Sequence, residues 1–317
     1  MQKEQSMMKI QLNHPGKQKP FNLKDGYRQI GDQIIREWNN DNEHYRKFIQ
    51  NSGCFLNGLK DLNPTQAELY FWGEWEGNSV FNPFAKADYN ILPNGVHKPF
   101  HSTVVRGLQN TDPYVFGEEF KYCVCKQTGQ LKTLVKDDLI LFGTVMPSLN
   151  KFYIDTVFVV KDHDLSADIQ KTNGKNYSQA YRETTLEQLQ EYLQKPMSSN
   201  ENEVSCGKTG CGNNYRDITK TNENKVYRGK TWWDDKDYFS FVPCKEQCGD
   251  AGFERLYVEL DNQTFQPFAN RTGVSYLEKC ELSSKDLWKE IVKIAIKQGF
   301  TLGVKFNEPE LNDVLTK

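Results

Sequence analysis

Two segments rich in β-branched and aromatic residues constrain the fold of this chain most strongly. Residues 138–145 (DLILFGTV) and 152–160 (FYIDTVFVV) both have the length and composition of buried β-strands. The connection between them is short and contains Pro147, which favours a turn. We therefore predict an antiparallel β-hairpin. Shorter strands are predicted at residues 8–12, 69–76, 238–242 and 255–260.

The spacing of apolar residues predicts α-helices in three further regions. From about residue 26 to residue 49 the apolar side chains recur at helical intervals, and a polar run in the middle divides the stretch into two helices. A short helix is predicted over 184–194. The last helix is predicted from about 285 to 298, between a serine cap and Gly299.

Length and charge bound the domain count and the classes of partner. At 317 residues the chain exceeds the usual single-domain size, and we interpret it as one elaborated α+β domain. Its 19 Phe, 15 Tyr and 6 Trp residues supply enough apolar surface for a core. A formal net charge of −2 argues against the sequence-independent phosphate binding of strongly basic duplex-DNA binders. It does not exclude a local basic patch.

The sequence also predicts a compartment. No stretch approaches the roughly 20 apolar residues that cross a bilayer, and the first residues lack the apolar run of a secretory signal. We therefore expect a cytoplasmic protein without a membrane partner. In a reducing compartment, the eight cysteines indicate metal ligands, reactive thiols or buried apolar side chains before they indicate disulfides.

Residues 70–127 carry most of the candidate chemistry. Aromatic rings alternate there with carboxylates, amides and imidazoles, a mixture that suits the wall of a pocket for a flat, hydrogen-bonding ligand. Trp72 and Trp75 can stack on a nucleobase while Glu74 accepts hydrogen bonds from it. The alternative is a sheet with ordinary aromatic packing and solvated acids.

Amide side chains further along this segment are candidates to read the edge of a base. Gln109 and Asn110 offer paired donors and acceptors, Asp112 adds an acceptor and Tyr114 adds a third ring. The competing interpretation is local turn chemistry, because Asp112 precedes a proline. The predicted ligand-binding residues are Trp72, Trp75, Gln109, Asn110, Asp112, Tyr114, Gln127 and Arg228, with Arg228 assigned to a phosphate.

Two histidines are candidate general acids or bases. His97 and His101 lie four residues apart, but Pro99 between them disfavours the helix that would make them a pair of metal ligands. Either can move a proton near neutral pH with Glu74 or Asp155 assisting. The alternative is a pair of surface or hydrogen-bonded histidines.

The cysteines suggest a zinc site. Cys206 and Cys211 form one short cluster, and Cys244 and Cys248 form a second one 32 residues later. Tetrahedral zinc commonly uses two such clusters, although these spacings differ from those of a standard finger. Loose thiols in a polar loop are the alternative.

The strand that begins at Asp138 resembles the Gly-Asp-hydrophobic strand of PUA-like domains, the group that includes ASCH and EVE modules, although Asp137 stands here in place of the glycine. Other motifs are similar to uncharacterised bacterial and phage proteins grouped near nucleotide-modification systems. These motifs are His14-Pro-Gly16, Trp38-Asn39 with His44-Tyr-Arg-Lys-Phe48, Phe71-Trp-Gly-Glu-Trp75 and Asp155-Thr-Val-Phe158.

The resemblance implies a PUA-like mixed or antiparallel β-barrel with flanking helices and a cysteine-containing insertion. The pockets of such barrels read RNA or modified DNA bases, and here the region from Trp72 to Gln127 would supply the pocket. The chain then divides into an N-terminal helical part (1–60), a barrel core (66–196), a polar insertion with the cysteine clusters (197–250), and closing strands with a C-terminal helix (251–317).

We therefore expect a protein that binds a nucleotide or a flipped or single-stranded nucleobase, modified bases included. The main alternative is an enzyme that acts on nucleotides or nucleic acid through a histidine acid/base, with zinc support. Two remote alternatives are an ADP-ribosyltransferase, from the match at Tyr227-Arg-Gly229, and a protein-interaction scaffold.

Overall fold

A computed structural model gives the architecture of most of the chain. It describes residues 7–14, 16, 18, 21–23, 26–37, 45–85, 91–102, 111–123, 129–165, 169, 174–186, 225–261, 264–265, 273–312 and 314. The strands of these residues are β1 (Lys9–Asn13), β2 (Tyr27–Ile30), β3 (Gln33–Arg36), β4 (Lys47–Leu56), β5 (Thr65–Gly73), β6 (Ser79–Pro83), β7 (Gly95–His101), β8 (Lys121–Tyr122), β9 (Leu139–Met146), β10 (Lys151–Leu165), β11 (Lys225–Gly229), β12 (Val242–Lys245), β13 (Leu256–Glu259), β14 (Gly273–Tyr276), β15 (Thr301–Phe306) and β16 (Glu310–Leu311).

The predicted hairpin lies in the first of two sheets and is confirmed. β9 and β10 pair antiparallel, and Phe152 lies opposite Val145 near the turn. The strand order is β14-β1-β9-β10-β11-β8, and β13 also pairs with β10. β1 lies parallel to β9, and its central residues Ile10 and Leu12 are fully buried. The hairpin strands are buried on both faces, which explains their nearly continuous apolar sequence.

The second sheet contains a small closed barrel. β4 pairs with β5, β5 with β12, β12 with β15, and β15 returns to β4, all antiparallel. Phe71 and Phe306 meet inside this ring with their centroids 4.4 Å apart. The sheet then continues outward through β7, β6, β3 and β2. A closed antiparallel barrel with extra strands is broadly compatible with the PUA-like barrel that the sequence suggested.

The C-terminal helix, Ser284–Lys297, confirms the prediction made for that region. The Ser283 hydroxyl caps it by accepting a hydrogen bond from the Asp286 amide. Its buried face includes Trp288, whose indole N–H donates to the Phe239 carbonyl oxygen at 2.8 Å. The helix predicted over 184–194 begins earlier, with a helical turn at Gln179–Tyr181 and a π-helical turn at Arg182–Leu186; residues from 187 onward lie outside the described ranges.

The helices predicted between residues 26 and 49 are wrong for the residues that the structure describes. β2 and β3 form a hairpin in which Ile30 lies opposite Gln33, and β4 begins at Lys47. The two residues between the strands are Gly31, with a φ of 57°, and Asp32, which together form a favourable two-residue hairpin turn. The stretch at 38–44 lies outside the described residues. Pairing with neighbouring strands has overridden the helical spacing.

Two further expectations change with the structure. The strand predicted at 238–242 is displaced to β12, and residue 241 makes only an isolated bridge to Val157. Residues 225–250, predicted as part of a polar insertion, contribute β11 to the first sheet and β12 to the barrel. The described chain is therefore mostly β, and the predicted α+β class with flanking helices finds weak support. None of its helices has the length and hydrophobicity that crossing a lipid bilayer requires.

Barrel closure depends on a close approach between β4 and β15, which yields a first prediction. A Cβ added at Gly53 would overlap the Lys305 carbonyl oxygen, whereas one added at Gly58 would meet nothing within 4 Å. We expect Gly53→Ala to lower the free energy of unfolding by roughly 1–3 kcal/mol, because the backbone of β15 must shift. Gly58→Ala is the control and should stay within about 0.5 kcal/mol of the parent. Urea unfolding measures both, and equal midpoints would contradict this account of closure.

Candidate functional site

Five buried polar residues meet between the two sheets, and we call them the charge cluster: His14, Arg46, Glu74, Asp155 and Arg255. Each is at most 6% exposed. Four of them stand just beyond a strand: after β1, before β4, after β5 and before β13. Asp155 instead lies within β10. Charged groups with so little access to water need partners, so their contacts define the site.

Arg46 holds the cluster together. Its Nε donates to Asp155 Oδ2 at 2.6 Å, and its Nη1 donates to Glu74 Oε2. Burial by itself would lower the pKa of Arg46, but the Asp155 and Glu74 carboxylates more than offset this effect and raise the pKa above its ordinary value. The guanidinium therefore stays charged and bridges two carboxylates from different sheets.

Local strand geometry explains why these three side chains meet. Lys47 lies opposite Gly73 where β4 and β5 pair, so Arg46 and Glu74 stand next to each other just beyond the end of that ladder. In β10 the register with β9 shifts between Ile154 and Thr156, which makes Asp155 the bulged residue. A bulge re-aims a side chain out of the regular alternation of a strand, and such bulges are common beside active sites.

Arg255 closes one side of the cluster. Its Nε lies 3.8 Å from Asp155 Oδ1, its Nη1 donates to Thr144 Oγ1 at 3.2 Å, and its Nη2 donates to the Gly16 carbonyl oxygen. The guanidinium carbon lies 4.4 Å from the centroid of the Trp72 ring. Burial lowers the pKa of Arg255, with Asp155 opposing and Arg46 adding to that effect.

Trp72 provides an aromatic wall behind Arg255. Its indole N–H donates to the Phe253 carbonyl oxygen at 2.8 Å, which fixes the plane of the ring. Phe48 packs edge-on against it with centroids 5.5 Å apart. The sequence placed Trp72 and Glu74 on one face of a strand, and both do border the charge cluster.

Two atoms inside the cluster have unused hydrogen-bonding capacity. Among the described residues, Arg46 Nη2 and Asp155 Oδ1 have no hydrogen-bond partner, although both side chains are at most 2% exposed. Buried donors and acceptors are almost always satisfied by protein, water or ligand. A polar group that both accepts and donates would complement this pair.

The structure brings only some of the predicted residues to the cluster. Glu74, Asp155 and Trp72 are there, whereas Trp75 and Tyr114 are fully buried elsewhere, with ring centroids 6.5 Å apart. The indole N–H of Trp75 donates to the Asn78 carbonyl oxygen at 2.8 Å, and the hydroxyl of Tyr114 donates to Glu308. Both rings are thus engaged in protein contacts.

The remaining predicted ligand-binding residues lie apart from this site or outside the described ranges. Asp112 is buried, and its Oδ1 accepts from the Cys123 amide at 2.9 Å. Arg228 is half-exposed and pairs with Asp162 at 2.6 Å. Gln109, Asn110 and Gln127 fall in the ranges that the structure does not describe.

The two predicted catalytic histidines have separate partners. His97 Nδ1 lies 2.9 Å from Ser79 Oγ, and His101 Nδ1 lies 2.7 Å from Glu183 Oε2. The imidazole beside Glu74 is that of His14, whose Nδ1 lies 3.4 Å from Glu74 Oε2. Sequence reasoning quoted His14 and Arg46 within motifs but gave them no role, and it missed Arg255. A lone arginine directly before the apolar strand β13 was the available signal.

The zinc prediction rests on residues that the structure describes only in part. Cys206 and Cys211 lie outside the described ranges. The Cys244 thiol is fully buried in the barrel and contacts Thr301 Oγ1 at 3.2 Å, and burial raises its pKa to about 12, which opposes the thiolate form that binds zinc. The Cys248 thiol donates to the Gly249 carbonyl oxygen at 3.3 Å. Within the described ranges, no three histidine, cysteine or carboxylate side chains converge to hold a metal ion.

Comparison with known proteins adds no assignment. No family model, curated protein or solved structure matches the chain.

The role of Arg46 yields a second prediction. We expect Arg46→Met to lower the free energy of unfolding by about 3–5 kcal/mol, because it leaves two buried carboxylates without their cation. Lys293→Met is the control: Lys293 pairs with Glu290 at 2.6 Å, but the lysine side chain is 68% exposed, so its loss should cost less than about 1 kcal/mol. Urea unfolding compares them, and similar losses for both would show that Arg46 does not organise the site.

The environment of His97 yields a third prediction. Burial, and then the charges of Lys47 and Arg36, hold the pKa of His97 well below its ordinary value of 6.5. Below pH 6.5 the unfolded chain therefore binds a proton that the folded protein does not, so stability falls as the pH falls. From this residue we expect a slope of up to about 1.4 kcal/mol per pH unit.

His97→Gln should remove that part of the slope. Unfolding measured between about pH 7 and pH 5 compares the variant with the parent. His163→Gln is the control. Partial burial and Lys225 lower the pKa of His163 as well, but its side chain is exposed on β10, so its loss should leave most of the slope in place. Parallel curves for the parent and His97→Gln would contradict the neutral, buried imidazole.

Proposed function

We propose that this protein binds a nucleotide or an unstacked nucleobase, flipped or single-stranded, with the base edge at the charge cluster. The observation that carries the proposal is the pair of buried atoms without a hydrogen-bond partner among the described residues, Arg46 Nη2 and Asp155 Oδ1. One is a donor and the other an acceptor. A ligand that fills both must present an acceptor and a donor on one edge, as nucleobases do.

The donor and the acceptor of this pair favour particular bases. Arginine donates well to the O6 and N7 acceptors of guanine, and aspartate accepts from the amino group of cytosine. Arg46 is held by Glu74 as well as Asp155, so its orientation is set before a ligand arrives. Guanine and cytosine, or their modified forms, are therefore the bases that we expect to bind best.

Trp72 and Arg255 support the stacking half of the proposal. The guanidinium carbon of Arg255 lies over the ring of Trp72, 4.4 Å from the ring centroid. Unstacked bases are commonly held against aromatic rings or arginine planes, and each such contact contributes about 1–3 kcal/mol. A base next to this pair gains a stacking surface within reach of Asp155.

Membership of the PUA-like superfamily and a role in nucleic-acid modification are part of the same proposal. The closed barrel is compatible with that fold. The four motifs that resemble nucleotide-modification proteins each contribute one residue to the charge cluster. These residues are His14, Arg46, Glu74 and Asp155, so four distant stretches of the chain meet there. A cytoplasmic location belongs to the proposal too, and the five cysteines in the described ranges are free thiols.

An enzyme that acts on a nucleotide at this cluster is the second candidate. The observation that favours it is the contact between His14 Nδ1 and Glu74 Oε2 at 3.4 Å. A histidine oriented by a carboxylate is a common general acid/base arrangement. If this candidate is correct, purified protein should convert a nucleotide or oligonucleotide to product, and His14→Gln should abolish turnover while binding persists.

A fourth prediction tests the proposed binding of a nucleobase. Nucleosides, nucleotides and short single strands, natural and modified, are titrated into the protein by calorimetry. We expect Trp72→Ala to weaken binding of base-containing ligands roughly 5- to 150-fold through the lost stacking surface. Trp233→Ala is the matched control, because that ring is 53% exposed, and it should bind like the parent. No binding by the parent, or equal binding by a folded Trp72→Ala, would refute the proposal.

A further inference from the structure

A second group of buried polar side chains lies directly beside the charge cluster, on the outward continuation of the barrel sheet. We call it the basic patch: Arg36, Lys47, Ser79 and His97. Arg36 in β3 lies opposite Ser79 in β6, and the Ser79 hydroxyl contacts His97 of β7 at 2.9 Å. Lys47 follows Arg46 in the chain and begins β4. All four side chains are at most 6% exposed.

The basic patch carries more positive than negative charge. Lys47 Nζ has a carboxylate partner in Glu76, but the distance to Oε1 is 3.4 Å, which is long for a charge-assisted hydrogen bond. Arg36 Nη1 donates to the carbonyl oxygens of Gly26 and Glu37 at 2.9 and 3.0 Å. Carbonyl oxygens satisfy hydrogen bonds without neutralising the charge. Among the described residues, Glu76 is the carboxylate within ion-pair distance of the patch, and Glu74 acts on Lys47 more weakly.

The charges of the patch act on one another. Burial lowers the pKa of Lys47, Glu76 opposes this, and Arg36 adds to it. After burial, the same two cations are the largest causes that lower the pKa of His97. A buried surplus of positive charge is costly unless an anion compensates it. An anion here would relieve all three groups at once.

We propose that the basic patch is a subsite for a phosphate group, so that the protein prefers nucleotides, or nucleotides within a strand, over free bases and nucleosides. Arg36 and Lys47 supply charge, and the Ser79 hydroxyl donates a hydrogen bond to the phosphate while its oxygen accepts one from the Nδ1–H of the neutral His97 imidazole. The inference rests on the proposed function, because the neighbouring charge cluster would hold the base of the same ligand. Glu74 and Glu76, two residues apart, would then serve the base side and the phosphate side respectively.

Inorganic phosphate tests the subsite without a base. We expect phosphate to bind the intact protein and to shift the imidazole resonances of His97 in NMR spectra, while leaving those of the exposed His163 unchanged. Lys47→Met should weaken phosphate binding at least about tenfold, since a charged hydrogen bond is lost. Lys98→Met is the matched control: Lys98 is exposed on the same strand as His97 and its loss should have no effect.

The outcomes separate this inference from the proposed function. Nucleoside monophosphates that bind at least about tenfold more tightly than their nucleosides, with that advantage lost in Lys47→Met, support the subsite. If nucleosides and nucleotides bind equally, the phosphate subsite is refuted, while the proposed binding of the nucleobase is not contradicted. Phosphate binding without any nucleotide binding refutes the reader and leaves the anion site. Phosphate that leaves the His97 resonances of the parent unchanged overturns the subsite even if Lys47→Met does not fold.

Discussion

The ion pairs of Arg46 are the interaction on which the rest of the site depends. One guanidinium, fully enclosed, joins Glu74 at the end of the barrel to Asp155 in the first sheet. The two sheets thus meet through charge as well as through apolar packing. Such an arrangement gains little net stability over well-packed apolar side chains, because burying the ions is itself costly. It does fix the positions of the donors and acceptors within the cluster.

This fixed centre explains why the interior here departs from a simple core. Around the barrel, rings such as Phe71 and Phe306 pack in the usual way. Between the sheets, two buried ion pairs, Arg46 with Glu74 and Lys47 with Glu76, replace that packing. Strand pairing explains the first of them, because Lys47 lies opposite Gly73 and the next residues beyond this pair are Arg46 and Glu74. Glu76 lies beyond the end of β5 and contacts Lys47 from there. Proteins depart from consistent apolar cores mainly at functional sites, so the polar interior is the strongest structural argument for a ligand.

The sequence predicted the parts of the fold that depend on local pattern. Composition predicts the hairpin of β9 and β10, and periodicity with caps predicts the C-terminal helix. Each of these signals lies within a short stretch of the chain. The helices predicted near the N-terminus failed for two reasons. The turn at Gly31 and Asp32 is a local signal that competes with the helical spacing, and the pairing of β4 is decided by distant strands. The same limit applies to the site. Glu74 and Asp155 were identified as single residues, but their common partner lies 28 residues from one and 109 from the other, and no local pattern links them.

The histidines show what this limit does to a functional hypothesis. The abundance of aromatic and polar side chains in residues 70–127 indicated His97 and His101 as candidates. In the fold, His97 contacts Ser79 and His101 contacts Glu183. The imidazole next to Glu74 is that of the distant His14. Recognition of a base needs donors and acceptors in fixed positions, and Arg46, held by Asp155 and Glu74, meets that requirement. A catalyst needs a group that changes its protonation state near neutral pH, and within the charge cluster His14 is the residue type with that capacity. Under the proposed function, the distinction between binding and chemistry therefore reduces to whether the His14 imidazole exchanges a proton with the bound nucleotide.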